Sequence, residues 1–297
     1  MSARRAVLHA DDLGMCHGAN AAFAELSAFG TITAGSVMVP CPWFSELAAM
    51  ARAEPKLDIG VHLTLTSEMP GYRWRPLTHP PASAGLTDPA GYFHAEVATL
   101  RRLAQPAAVE AELRAQIDAA LAAGIDVTHL DDHMGAVLAP EFAEIYVRIA
   151  TDYRLPLVMC PAFSAYGGQH NLQGVTEAAF APGVALARST GQILFDRIAE
   201  TNWHPNGLPG AAARAMITSL PEGLSFLALH VTCPGDIDVI DPGFHKVRTA
   251  EYAHYRREDF RDWLVAQDIS LQGMRPLRAA FRAPTERNTT WTASASA

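Results

Sequence analysis

Val7-Leu8-His9-Ala10-Asp11-Asp12-Leu13-Gly14 is an apolar run, of the kind that forms a buried strand, that stops in two adjacent carboxylates and a glycine. Successive side chains on a strand point to opposite faces. At a strand end the backbone leaves that alternation, so both acids can turn into one pocket. Unpaired carboxylates at such a spot repel each other and destabilise the fold unless a cation or a proton offsets them. The alternative is a capping pair, with Asp11 or Asp12 opening the next helix. Residues far along the chain favour the pocket.

Around this stretch, strands and helices alternate. Arg4–Ala10 reads as the first strand, and Gly18–Phe29 has helical spacing (Ala22, Phe23, Leu26) up to a stop at Gly30. Ile32–Val39 is an apolar, β-branched strand closed by Pro40 and Pro42. Phe44–Arg52 is a helix ended by Pro55, and Leu57–Leu65 is the next strand. This order predicts an α/β fold with a parallel sheet. Periodicity then disappears from Ser67 to Ala95, a long loop carrying Tyr72, Trp74 and Tyr92. Loops of that length in a compact domain are often functional. Its aromatic rings are either platforms for sugar faces or pins that hold the loop down.

Ala107–Ala123 is an alanine-rich helix ended by Gly124, and Ile125–Leu130 is a strand leading into Asp131-Asp132-His133. Helices follow at Pro140–Arg154, Gln192–Glu200 and Pro209–Ser219, with a short strand at Leu157–Met159. Leu224–Leu229 is a strand that delivers His230; Thr249–Gln267 holds one or two helices, and Ile269–Gln272 a last strand. With no repeat and no linker, residues 1–284 are expected to form one domain and 285–297, rich in Thr, Asn, Ser and Ala, a disordered tail.

A chain of 297 residues, 49% hydrophobic, has enough apolar surface for a large core. A net charge of −8 without a basic block speaks against nucleic-acid or anionic-membrane partners. No apolar run is long enough to cross a bilayer, and Met-Ser-Ala-Arg-Arg runs into the first strand without room for a signal peptide. Cys16, Cys41, Cys160 and Cys233 form no Cys-x-x-Cys pair, as expected of a cytoplasmic protein without disulfides or a thiolate zinc site. Neither a phosphate-binding glycine motif nor a Gly-x-Ser-x-Gly elbow is present.

Polar residues of metal-ligand type stand at several strand ends: Asp11-Asp12, His62, His133 and His230. In a parallel barrel the carboxyl ends of all strands lie on one face, where active sites are assembled. One carboxylate and two imidazoles, with positions left for water and substrate, suit zinc or another first-row divalent ion. Taken singly, each histidine has a plainer reading. His62 lies among Val61, Leu63 and Leu65 as a core histidine would, and His129 and His133 flank two acids as in a salt-bridged turn.

Four segments in this order are specific: Ala10-Asp11-Asp12-Leu13-Gly14 with Gly18-Ala19-Asn20; Thr33 to Val39; Ile59-Gly60-Val61-His62-Leu63-Thr64-Leu65-Thr66; and Thr128-His129-Leu130-Asp131-Asp132-His133. Together they resemble the YdjC-like (chitooligosaccharide deacetylase-like) family, with a looser match through His230 and Arg248-Thr249-Ala250-Glu251-Tyr252. The resemblance implies an irregular, TIM-like (β/α) barrel of the polysaccharide-deacetylase kind, a homodimer, that removes acetyl groups from N-acetylated sugars or oligosaccharides with one divalent ion, zinc or magnesium. It implies that Asp12, His62 and His133 hold the ion, that Asp11 is the base and that His230 is the acid. His129 or Asp131 would orient a ligand histidine. Two departures stand out: Val231, Thr232 and Cys233 separate His230 from Pro234-Gly235, where the family has His-Pro-Gly, and Met134 replaces a further histidine. Other readings are a metal-dependent amidohydrolase on a non-sugar N-acyl compound, a two-carboxylate glycosidase and a catalytically silent sugar-binding protein.

Overall fold

β1 (Arg4–Leu13) is the axis of the sheet, and every residue from Ala6 onward is buried, as in a strand covered on both faces. The computed structural model describes residues 3–204 and 209–283. β6 (Gly223–Leu229) lies along one side of β1 from Arg4 to Ala10. On the other side, β7 (Ser270–Leu271) pairs at Arg5 and Ala6, and β2 (Ala34–Val37) pairs from His9 onward. β3 (Ile59–Leu63), β4 (Leu130–Asp132) and β5 (Arg197–Glu200) complete the order β4-β3-β2-β1-β6-β5, with every pairing parallel.

The sheet curls into a half-barrel whose two outer strands are linked through Leu155–Met159. Val158 N–H donates to Leu130 O (2.9 Å) and Phe195 N–H to Met159 O (2.9 Å). The strand expected at Leu157–Met159 is thus present only as isolated backbone bonds. Among the described residues the strands are too few and too unequal for a regular eight-stranded barrel.

The helix expected at Gln192–Glu200 is a correction: its second half is β5, and the helix lies earlier, at Glu177–Ser189. Pro182 and Gly183 hide that helix in the sequence. Thr176 caps it by accepting the Ala179 N–H (3.2 Å), and a Cβ on Gly183 would lie 2.9 Å from Ala143 Cβ, so the glycine serves close helix packing. β1 runs on through both aspartates, where the expected strand stopped at Ala10. The tail expected at 285–297 falls outside the described residues. All four cysteines are free thiols, and no described helix is long and apolar enough to cross a membrane.

The loop from Ser67 to Ala95 is irregular, as expected, and one buried acid anchors it. Glu112, in the helix Pro106–Ala122, accepts Leu77 N–H (3.1 Å), Thr78 N–H (3.0 Å) and Thr78 Oγ1–H (2.7 Å). One turn on, Gln116 accepts Thr64 N–H (2.9 Å) and donates to Thr64 O (2.7 Å), fixing the chain just past His62. Glu112→Ala removes three part-buried hydrogen bonds, each worth about 0.5–1.5 kcal/mol. It is expected to lower stability to chemical denaturation by roughly 2–4 kcal/mol and to open the loop to proteases. A wild-type denaturation midpoint would rule out the anchoring role.

Candidate metal centre and active site

The site begins at a distortion in β1. The β1–β2 register shifts between Ala10 and Leu13, and Asp12 adopts φ +60°, a left-handed conformation that Asp tolerates better than most residues. The bulge breaks the strand's alternation, so adjacent Asp11 and Asp12 both line one cleft of about 660 Å³. His62 from β3, Asp131 and Asp132 from β4, His133 just after it and His230 after β6 line the same cleft.

Asp12 Oδ1 is 3.4 Å from His62 Nε2 and 3.2 Å from His133 Nδ1. These three residues are buried and bring one ligand-type atom each within 4.8 Å of the others. The other nitrogen of each ring is engaged: His62 Nδ1 donates to Asp131 Oδ2 (3.0 Å) and His133 Nε2 to both oxygens of Glu68 (2.9 and 3.0 Å). That leaves His62 Nε2 and His133 Nδ1 turned toward Asp12. Asp12 Oδ2 accepts from Arg248 Nη1 (2.7 Å), whose Nε donates to Asp241 Oδ2 (2.9 Å), whereas Asp12 Oδ1 is buried without a hydrogen-bond partner. An orphaned carboxylate oxygen facing two oriented imidazoles is a donor set that fits a divalent ion.

Burial penalises a charge on Asp12, but Arg248 and the facing imidazoles of His133 and His62 outweigh it and hold the carboxyl well below its usual range. Asp11 behaves in the opposite way: burial, reinforced by the charges of Asp131 and Asp12 and opposed by His62, raises it well above that range. Asp11 Oδ1 accepts from His9 Nδ1 (2.6 Å), while Oδ2 lies 4.0 Å from His230 Nε2. His230 is tied at Nδ1 to Thr201 Oγ1 (2.9 Å), and its backbone N–H donates to Glu251 Oε2 (2.7 Å). Burial first, then the nearby Arg248 charge, lowers its pKa against the pull of Asp12, keeping the imidazole neutral.

Of the two residues considered for orienting a ligand histidine, Asp131 contacts His62, while His129 bonds to His9. The loop aromatics turn out to be pins. Trp74 is 3% exposed and donates from Nε1 to Thr66 O (2.7 Å), Tyr72 Oη donates to Met15 O (2.6 Å), and Tyr92 lies under the Arg73 and Arg75 guanidinium groups. The cleft's aromatic wall comes from elsewhere: Trp203, its ring 4.4 Å from His230, with Phe244 and Tyr166. Glu68, Trp203 and Asp241 had no signal in the sequence. Arg248 lay within the closing segment of the resemblance without a role attached.

The family pattern described as YdjC-like protein matches residues 5–266, a span holding every site residue named above. The chain belongs to the YdjC-like family. Among curated relatives, a carbohydrate deacetylase of Thermus thermophilus is 39% identical over 233 residues, covering 77% of this chain and 77% of the relative. A carbohydrate deacetylase of Brevibacillus brevis is 32% identical over 151 residues, covering 51% of this chain and 57% of the relative. Among solved structures, an Enterococcus faecalis protein described as a cellobiose-phosphate cleavage protein superposes with a TM-score of 0.74, covering 92% of this chain and 98% of that one. At 20% identity, that likeness establishes the α/β fold of this YdjC-like chain and nothing further.

Proposed function

We propose that this YdjC-like protein is a hydrolase that removes an acetyl group from an N-acetylated sugar or oligosaccharide, working on a single-domain, irregular (β/α) barrel of the polysaccharide-deacetylase kind. The curated relatives' shared description supports the substrate class. One observation carries the chemistry: the unpartnered Asp12 Oδ1, flanked by His62 and His133, lies beside an Asp11 that has a free oxygen in the cleft.

Asp12, His62 and His133 would hold one divalent ion, zinc or magnesium, which when bound acidifies water and polarises an amide carbonyl. Asp11 Oδ2 accepts the proton of the attacking water; burial raises its proton affinity above that of an ordinary carboxylate, which makes it a stronger base. The departing amine nitrogen takes up that proton, with His230 Nε2, 4.0 Å from Asp11 Oδ2, beside it as the acid. Thr201 holds the ring so that Nε2 faces the reaction space. The products are acetate and a free amino sugar. Trp203, beside His230, offers a flat apolar face to the sugar ring.

Acetate release should be measured over N-acetylglucosamine, its short β-linked oligomers and non-sugar N-acyl amines. Turnover confined to the sugars is the expected result, and turnover confined to the others would replace it with a general amidohydrolase. Trp203→Ala should raise KM about tenfold, the loss of roughly 1–1.5 kcal/mol of ring stacking. An unchanged KM would remove Trp203 from the sugar site.

A further inference from the structure

We infer that His9 and His129 form a buried positioning pair that decides which oxygen of Asp11 faces the substrate; this rests on Asp11 being the base in the reading above. His9, two residues before Asp11 on β1, and His129, beside β4, are both completely buried. His9 Nδ1 lies 2.6 Å from Asp11 Oδ1, and His9 Nε2 lies 2.9 Å from His129 Nε2. His129 Nδ1 in turn lies 2.9 Å from Thr128 Oγ1. Two imidazole nitrogens at 2.9 Å must share one proton, because two lone pairs or two N–H groups would repel.

With Asp11 ionised, one arrangement satisfies every atom. Thr128 Oγ1–H donates to His129 Nδ1, His129 Nε2–H donates to His9 Nε2, and His9 Nδ1–H donates to Asp11 Oδ1. Both rings are neutral in it, as their burial requires: desolvation lowers each to about 4. The chain of bonds ends at fully buried Thr128, so it has no outlet for a proton and orients Asp11 without conducting. Oδ1 is taken by His9, which leaves Oδ2 as the oxygen open to water.

Packing holds the pair in place. Phe226 lies against the His9 ring at 4.6 Å between centroids. On the opposite flank, a Cβ on Gly60 would stand 2.6 Å from the His129 ring, which accounts for a glycine inside β3. His9, His129 and Asp131 also bring ligand-type atoms close together, but both His9 nitrogens are spent on hydrogen bonds, so the cluster serves Asp11 and not a second ion.

The test is a pair of measurements on the protein loaded with zinc or magnesium. Long-range 1H–15N spectra should show protons on His9 Nδ1 and on His129 Nε2; the reversed pattern, or a doubly protonated ring, overturns the inference. In kinetics, His9→Phe should lower kcat by about 10–100-fold, the usual weight of an outer-shell partner, with KM and bound metal unchanged. His9→Asn, whose amide nitrogen takes the place of Nδ1, should recover most of kcat. A His9→Phe enzyme with full kcat, or a His9→Asn enzyme no better than His9→Phe, overturns it too. Wild-type protein that releases no acetate from any sugar defeats the deacetylase reading instead, and the spectra still decide the pair.

Discussion

Asp12→Asn is expected to give a folded protein that no longer retains a divalent ion and has lost turnover. The choice of asparagine matters. Arg248 is buried and donates to both Asp12 and Asp241, so removing the Asp12 side chain would leave a buried cation with Asp241 alone and destabilise the fold. An asparagine oxygen can still accept from Arg248, while its amide group confronts the two imidazoles where a negative oxygen stood. The electrostatic help lost with the ion is worth several kcal/mol, so activity should fall by about 10³-fold or more. His62→Ala should lose the ion as well, whereas Glu68→Gln, one step removed through His133, should weaken metal affinity by about 10–100-fold. Metal content by elemental analysis and acetate release are the readouts. Stoichiometric metal in Asp12→Asn would mean that the ion is held elsewhere.

Asp11→Asn is expected to separate binding from chemistry. Its Oδ1 can still accept from His9, so the side chain keeps its place, and the proposed ligand set of Asp12, His62 and His133 is untouched. What disappears is the basic oxygen facing His230. General-base assistance is typically worth about 10²–10⁴-fold, so kcat should fall by that factor while metal content stays at the wild-type level. If Asp11→Asn turned over normally, proton removal would have to be reassigned, with Glu200, another acid of the same cleft, the next group to examine.

The contrast between the two aspartates shows what neighbouring residues cannot reveal about each other. Their adjacency marks the site, but their opposite pKa shifts have different origins: burial raises Asp11, whereas Arg248, far along the chain, outweighs burial at Asp12. Arg248 bonds to Asp12 across a separation of 236 residues, and Glu68 to His133 across 65. Such pairings leave no periodic trace. The loop rings teach the same lesson: Tyr72, Trp74 and Tyr92 carry the composition of a sugar platform, yet backbone carbonyls and arginines hold them outside the cleft's lining. Gly183 reads as a helix breaker because its purpose, a close approach to Ala143, is visible only when the two helices are packed together.

From its sequence alone the chain settled the alternation of strands and helices, the parallel sheet and the strand ends where acids and histidines collect, because hydrophobic periodicity and turn residues act over a few positions. The tertiary structure alone decided which oxygen of Asp12 is orphaned, which acids hold the rings of His62 and His133, and that His9 and His129 stand behind Asp11. Those outcomes depend on distances and dielectric between parts of the chain that meet only when the sheet curls, and no local pattern of residues encodes them.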